Sequence, residues 1–95
     1  MIRVFVGLGS NVANPVHQLY RATAALMDLP LSSWCASSSF YSSKPEGPQD
    51  QPDFINAVAA FDTNLTAMTL LMHLQRIETQ QNRIKKRHWG ERTID

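Results

Sequence analysis

Phe54 and Asn56 stand two apart in a run, Phe54 to Asp62, that reads as a strand, so both project from one face. An aromatic surface beside an amide suits a flat heteroaromatic ring, which the Phe stacks and whose hydrogen-bonding edge the Asn reads. Taken alone, the commoner meaning of the same pair is a core Phe beside a satisfied strand Asn. Gln75 and Glu78, three apart, share a face at the end of a predicted helix, just ahead of a basic segment. Such a pair can hold metal-bound phosphates or simply face water, and water is the default at an exposed helix end. The segment itself, Arg83-Ile84-Lys85-Lys86-Arg87-His88-Trp89-Gly90-Glu91-Arg92, interleaves cations with an aromatic. In phosphoryl transfer a protein mainly positions groups and neutralises charge on phosphate oxygens, and Arg83, Lys85 and Arg92 are the donors nominated for that work. Asp95 follows Arg92 by three residues on a predicted strand edge. With a second carboxylate two residues further on it would complete a magnesium clamp built from few protein ligands and substrate oxygens.

These residues need elements to hold them. Ile2, Val4, Val6 and Leu8 alternate with Arg3, Phe5 and Gly7, the pattern of a strand with one buried face, and Gly9-Ser10-Asn11 is expected to end it. Asn14-Pro15 predicts a capped helix start, followed by a stripe of Val16, Leu19, Tyr20, Leu26 and Met27 with Thr23 as its one polar member. Ser33 to Tyr41 predicts a second strand with Trp34, Ala36, Ser38 and Phe40 on one side. Pro45, Gly47, Pro48 and Pro52 force a loop from Ser42 to Asp53, of the length that tends to carry function. Phe54 to Asp62 predicts a third strand, apolar on both faces and hence central. Thr66 then caps a helix with stripe Leu70, Leu71, Leu74 and Ile77, running to about Gln80, and Thr93-Ile94-Asp95 opens a fourth strand. The order strand, helix, strand, strand, helix, strand predicts an α+β ferredoxin-like sandwich, an antiparallel sheet with helices packed on it.

Composition bounds the rest. With 95 residues, 43% apolar and 18% charged, the chain has room for one folded domain with a modest core. No run is long enough to span a membrane, and the N-terminus lacks the layout of a secretory signal, so a cytoplasmic protein is expected. The single Cys35 cannot form an internal disulfide and is expected as a small buried apolar group. A net charge of +1 conceals an asymmetry: −2 over residues 1–82 and +3 over 83–95. A nucleotide or nucleic acid would suit the basic end; a solvated charge run is the blander reading.

Three stretches in this order resemble one family, the 6-hydroxymethyl-7,8-dihydropterin pyrophosphokinases. Gly7-Leu8-Gly9-Ser10-Asn11 is similar to the family's opening G-S-N. Phe40-Tyr41, then Gly47-Pro48-Gln49-Asp50-Gln51-Pro52-Asp53-Phe54-Ile55-Asn56-Ala57, is similar to its substrate loop and third strand. Gln75-Arg76-Ile77-Glu78, then Arg83, then Arg87 through Asp95, resembles its signature up to the first of two metal-binding aspartates. The resemblance covers essentially the whole chain but only about the first three-fifths of a typical member.

The resemblance implies transfer of a diphosphate from ATP to the pterin in folate biosynthesis. It places the pterin against Phe54, where many members have Tyr, held by Asn56 and the main chain around Ser43, Lys44 and Glu46. It sets Gln75 and Glu78 near the ATP phosphates, and Arg83, Lys85, Trp89 and Arg92 on a loop that grips the nucleotide, Arg83 and Arg92 as catalytic cations. Asp95 becomes a ligand of Mg²⁺, two ions being expected in the intact enzyme. Lys44 and Glu46 stand where many members carry apolar or proline residues, and Lys85 replaces a common Arg, a point charge in place of a bidentate fork. The resemblance stops at the first metal-binding aspartate, and one carboxylate cannot fix two magnesium ions. The chain is thus expected to be a C-terminally incomplete domain with little or no turnover, monomeric in the intact family yet open to self-pairing at a sheet edge. A small nucleic-acid-binding module, or a non-catalytic relative of the enzyme, is the alternative.

Overall fold

The computed structural model describes residues 1–47 and 51–81. Its elements are β1 (Ile2–Ser10), α1 (Pro15–Met27), β2 (Ser32–Ser37), β3 (Tyr41–Ser43), β4 (Phe54–Thr63) and α2 (Ala67–Gln80). β4 is central: β1 pairs with it on one side, β2 and then β3 on the other, all antiparallel. β1 and β2 therefore run the same way with β4 inserted between them, the split βαβ arrangement of a ferredoxin-like sheet. The fourth strand expected at Thr93–Asp95 lies outside the described residues.

Alternation along the paired strands decides what each face does. Val6 and Leu8 of β1 and Ala57, Ala59 and Phe61 of β4 point inward, where they meet Leu19, Ala22 and Leu26 of α1 and Leu70 and Leu74 of α2 in one core. Phe61 is wholly buried, so its truncation leaves a cavity costing about 3–5 kcal/mol. Residues 54, 56, 58, 60 and 62 of β4, with Arg3, Phe5, Gly7 and Gly9 of β1, form the opposite face, which the helices do not cover. There Phe5 is 61% exposed.

Several local features depart from expectation. β1 runs through Gly9 and Ser10, because β4 is long enough to pair with both. Asn14 does stand before α1, but its side chain makes no cap. Its backbone is left-handed (φ 57°, ψ 57°), a conformation Asn tolerates, and its carbonyl accepts from the Gln18 amide at 3.1 Å. Val16, Tyr20 and Met27 are exposed, so the buried stripe is Leu19, Ala22 and Leu26; Tyr20 instead tilts against Phe40, ring centroids 5.1 Å apart. In α2, Thr66 caps as expected, its hydroxyl accepting from the Thr69 amide at 3.2 Å, while Leu71 faces out.

The predicted second strand is two. A bulge between Trp34 and Ala36 shifts the register, so Trp34 packs on the core while Ala36 comes opposite Ala60, on the uncovered face. Of the expected row of Trp34, Ala36, Ser38 and Phe40, Trp34 and Phe40 do pack on the core, while Ala36 leaves it at the bulge. Cys35, at the bulge, is exposed rather than buried, its Sγ 3.7 Å from an Asp62 carboxylate oxygen and 3.9 Å from the Ser33 carbonyl. Ser38 bridges the gap before β3: its amide donates to the Val58 carbonyl at 2.8 Å, and its Oγ accepts from the Val58 amide at 2.9 Å. The ladder thus continues through a side chain, and β3 resumes pairing at Tyr41.

Candidate functional site

β3 enters the sheet with Tyr41 opposite Asn56 and Ser43 opposite Phe54, while Gly9 of β1 lies opposite Asn56 on the other side. Tyr41, Asn56 and Gly9 thus make one row across three strands and Ser43 and Phe54 the next, all on the face the helices leave open. Asn56 Nδ2 donates to the Tyr41 carbonyl at 3.3 Å and to Ser43 Oγ at 2.8 Å. A carbonyl can only accept, so the amide is oriented: turning it over would set oxygen against oxygen. Both hydrogens of Nδ2 are occupied, and Oδ1 lies over the Gly9 backbone, an acceptor beside the half-buried Phe54 ring.

The loop that follows β3 is held at both limbs. Pro45 is buried between exposed Lys44 and Glu46, and Gly47 takes a left-handed turn (φ 82°) that a side chain would strain. On the returning limb, Asn11 Nδ2 donates to the Pro52 carbonyl at 3.3 Å. Ser10 Oγ accepts from the Val12 amide at 3.4 Å, shaping the turn that carries Asn11 there. The Gly9-Ser10-Asn11 stretch therefore touches both the Asn56 amide of β4 and the backbone of the loop that follows β3.

At the far end of the same face, Arg3 forks onto Asp62, its Nη2 3.3 Å from Oδ2. The hydrogen bond from Arg3 holds the Asp62 carboxyl below its ordinary range, and the same bond raises the Arg3 guanidinium. Six residues of strand, about 20 Å, separate Asp62 from Asn56, so this pair belongs to the sheet and not to the ring patch.

Of the residues nominated from sequence, Ser43, Phe54 and Asn56 come together on one face, with Lys44 and Glu46 on the adjoining loop. Gln75 and Glu78 sit in the later turns of α2, in the helix layer on the other side of the sheet. Arg83, Lys85, Trp89, Arg92 and Asp95 lie outside the described residues. Sequence reasoning missed Tyr41, which acts through its carbonyl and so leaves no trace in residue type. It also missed that Gly9 faces Asn56, a matter of strand register.

The split βαβ sheet, with both helices on one face and an oriented amide beside Phe54 on the other, defines an α+β domain of the ferredoxin-like class. The chain belongs to the 7,8-dihydro-6-hydroxymethylpterin-pyrophosphokinase (HPPK) family, which it matches over residues 5–95. It is 52% identical over its full length to the 2-amino-4-hydroxy-6-hydroxymethyldihydropteridine pyrophosphokinase of Haemophilus influenzae, covering 59% of that protein. It is 50% identical over 98% of its length to the protein of the same name from Pseudomonas aeruginosa, covering 57% of it. Against that of Pseudomonas putida the identity is 45% over 99% of the chain and 78% of the relative. The chain spans about three-fifths of the length of the first two of these curated relatives. No helix among the described residues is long and apolar enough to cross a membrane.

Proposed function

We propose that this chain carries the pterin face and part of the nucleotide site of an enzyme that transfers diphosphate from ATP to 6-hydroxymethyl-7,8-dihydropterin in folate biosynthesis, in the cytoplasm. The observation that carries the reading is the Asn56 amide, locked by Tyr41 and Ser43 so that its oxygen is turned toward Gly9 and, among the described residues, accepts no hydrogen bond. A pterin presents ring N–H and amino donors along one edge and two flat faces, so Phe54 would stack it and Asn56 Oδ1 would accept from its edge. Ser43, Lys44 and Glu46 would meet the remaining edge through their main chain.

With the ring fixed, the hydroxymethyl oxygen attacks the β-phosphorus in line. The new O–P bond forms as the bond from the β-phosphorus to the α,β-bridging oxygen breaks; AMP leaves, and the alcohol proton passes to solvent. No bond to the protein is made. Arg83 and Arg92 would neutralise the phosphate oxygens at this step, and Gln75, Glu78, Lys85 and Trp89 would hold the nucleotide. Magnesium, when bound, lowers the repulsion among those oxygens. The described residues hold no group of three or more His, Cys, Asp or Glu side chains placed to bind a metal, and Asp95 is the one ligand this chain is proposed to give.

Calorimetric titration tests the two half-sites separately. The chain should bind 6-hydroxymethylpterin one to one, and should bind a non-hydrolysable ATP analogue with magnesium in a separate titration. Absence of pterin binding, or binding that Phe54→Ala leaves intact, refutes the reading. A second reading has one observation for it: Phe5, Tyr41 and Phe54 lie on the same open face, as in sheets that stack single-stranded bases. It requires binding to a single-stranded RNA oligonucleotide that weakens steeply with salt.

A further inference from the structure

We propose that Gly9 is a positioning residue for the ring site, its missing side chain being what allows the Asn56 amide to lie in its edge-reading orientation. A Cβ built on Gly9 would stand 2.9 Å from Asn56 Oδ1 and 4.0 Å from Asn56 Cγ, with the Ile55 carbonyl oxygen at 3.9 Å. The first distance is closer than a methyl carbon and an amide oxygen approach. The other two are ordinary contacts, so among the described residues the conflict falls on a single atom. That atom is the end of a side chain with free torsions, so the amide moves and the strands stay.

Gly9 needs no glycine for its backbone. Its φ is outside the left-handed region, unlike that of Gly47, and it lies within the paired length of β1, where alanine is tolerated. The cost of a side chain here is therefore not borne by the fold. Displacing Oδ1 rotates the whole planar amide, because Nδ2 turns with it. The bonds to the Tyr41 carbonyl (3.3 Å) and Ser43 Oγ (2.8 Å) lengthen together. The oxygen that should accept from the ring edge then points elsewhere, while the Phe54 ring, one row away, keeps its place.

The inference rests on the pterin reading above, and its test separates the two. The variant is Gly9→Ala in the full chain, with Asn56→Ala and the double variant as partners. Binding of 6-hydroxymethylpterin is followed by calorimetry, and the Asn56 side-chain NH₂ signals by ¹H–¹⁵N correlation spectra without ligand. Gly9→Ala should keep the native circular dichroism spectrum and a melting midpoint at or above that of the native chain. It should shift the Asn56 side-chain signals and weaken pterin binding by about tenfold, the worth of one good hydrogen bond. In the Asn56→Ala background the same substitution should change affinity by less than about twofold.

Unmoved Asn56 side-chain signals overturn the inference whatever the ligand does. Equal pterin affinity in the native chain and Gly9→Ala also overturns it, as does a full additional loss in the Asn56→Ala background, since Gly9 would then act by another route. If the native chain does not bind the pterin, the functional reading fails, and the ligand-free spectra alone decide whether Gly9 sets the amide.

Discussion

Replacing Asn56 by aspartate changes one atom of the site and should make folding stability depend on pH in a predictable way. In the native chain Nδ2 donates twice, to the Tyr41 carbonyl and to Ser43 Oγ. In Asn56→Asp an oxygen takes the place of Nδ2. Ser43 can reverse its hydroxyl and donate to that oxygen, so the 2.8 Å contact survives as a charge-assisted bond. The Tyr41 carbonyl cannot reverse, and at 3.3 Å it faces a second oxygen. One hydrogen bond is lost and a repulsion takes its place, which at a half-buried position costs about 1–2 kcal/mol while the carboxylate is ionised. Protonation restores a donor toward Tyr41. The folded state therefore favours the acid form, and the carboxyl titrates above its ordinary value of about 4. A group whose folded pKa is raised stabilises fully below its unfolded pKa and loses that contribution as pH rises through the folded value. The variant should match the native chain near pH 3.5 and fall behind it progressively toward pH 6. Urea unfolding at a series of pH values, each variant point referred to the native chain at the same pH, measures this difference. A gap that stays constant with pH would show that the amide is not held by the Tyr41 carbonyl.

Phe54→Ala should weaken 6-hydroxymethylpterin binding by about 5- to 150-fold, the range for loss of a base-stacking aromatic, while Phe54→Tyr, which keeps the face, should bind within about threefold of the native chain. Phe61→Ala should lose about 3–5 kcal/mol in urea unfolding, because the side chain is wholly buried in the core; a loss under about 1 kcal/mol would mean that the core is elsewhere. The Arg3–Asp62 pair should matter only where Asp62 is ionised. Its carboxyl is lowered in the folded state, so its contribution is present above the unfolded pKa and disappears as pH falls through the folded value. Asp62→Asn should therefore lower the melting temperature slightly at pH 7 and not at pH 2; an equal shift at both would assign the effect to packing.

What sequence could supply here followed from periodicity and capping. β1 was legible from the alternation of Ile2 to Leu8, β4 from a run apolar on both faces, and α2 from its leucine stripe and from Thr66, a capping residue standing where a cap is needed. The run after Leu31 was not, because a bulge consumes one residue at Cys35 and turns Ala36 to the open face, and a second slip between Ser38 and Tyr41 returns Phe40 to the core, on which Trp34 also packs. Nothing in Ser33 to Tyr41 marks either step, and Cys35 was accordingly expected inside. Half of the ring site was visible for a similar reason. Phe54 and Asn56 share a face by spacing alone, and the motifs around them resembled the family to which the chain belongs. The partners that orient Asn56 come from register: Tyr41 through its carbonyl, Gly9 through an absent side chain. Neither contribution is encoded in a residue type that advertises it.

The central claim is that a pterin lies on the open sheet face between Phe54 and Asn56. Chemical-shift mapping of the ¹⁵N-labelled chain during titration with 6-hydroxymethylpterin tests it most directly. A pterin bound there should give saturable shifts at Gly9, Ser43, Phe54 and the Asn56 side chain, with Arg3, Cys35 and Asp62 unmoved at the far end of the same face. Shifts centred on Arg3, Cys35 and Asp62, or on the helix layer with the Asn56 side chain unmoved, would contradict it.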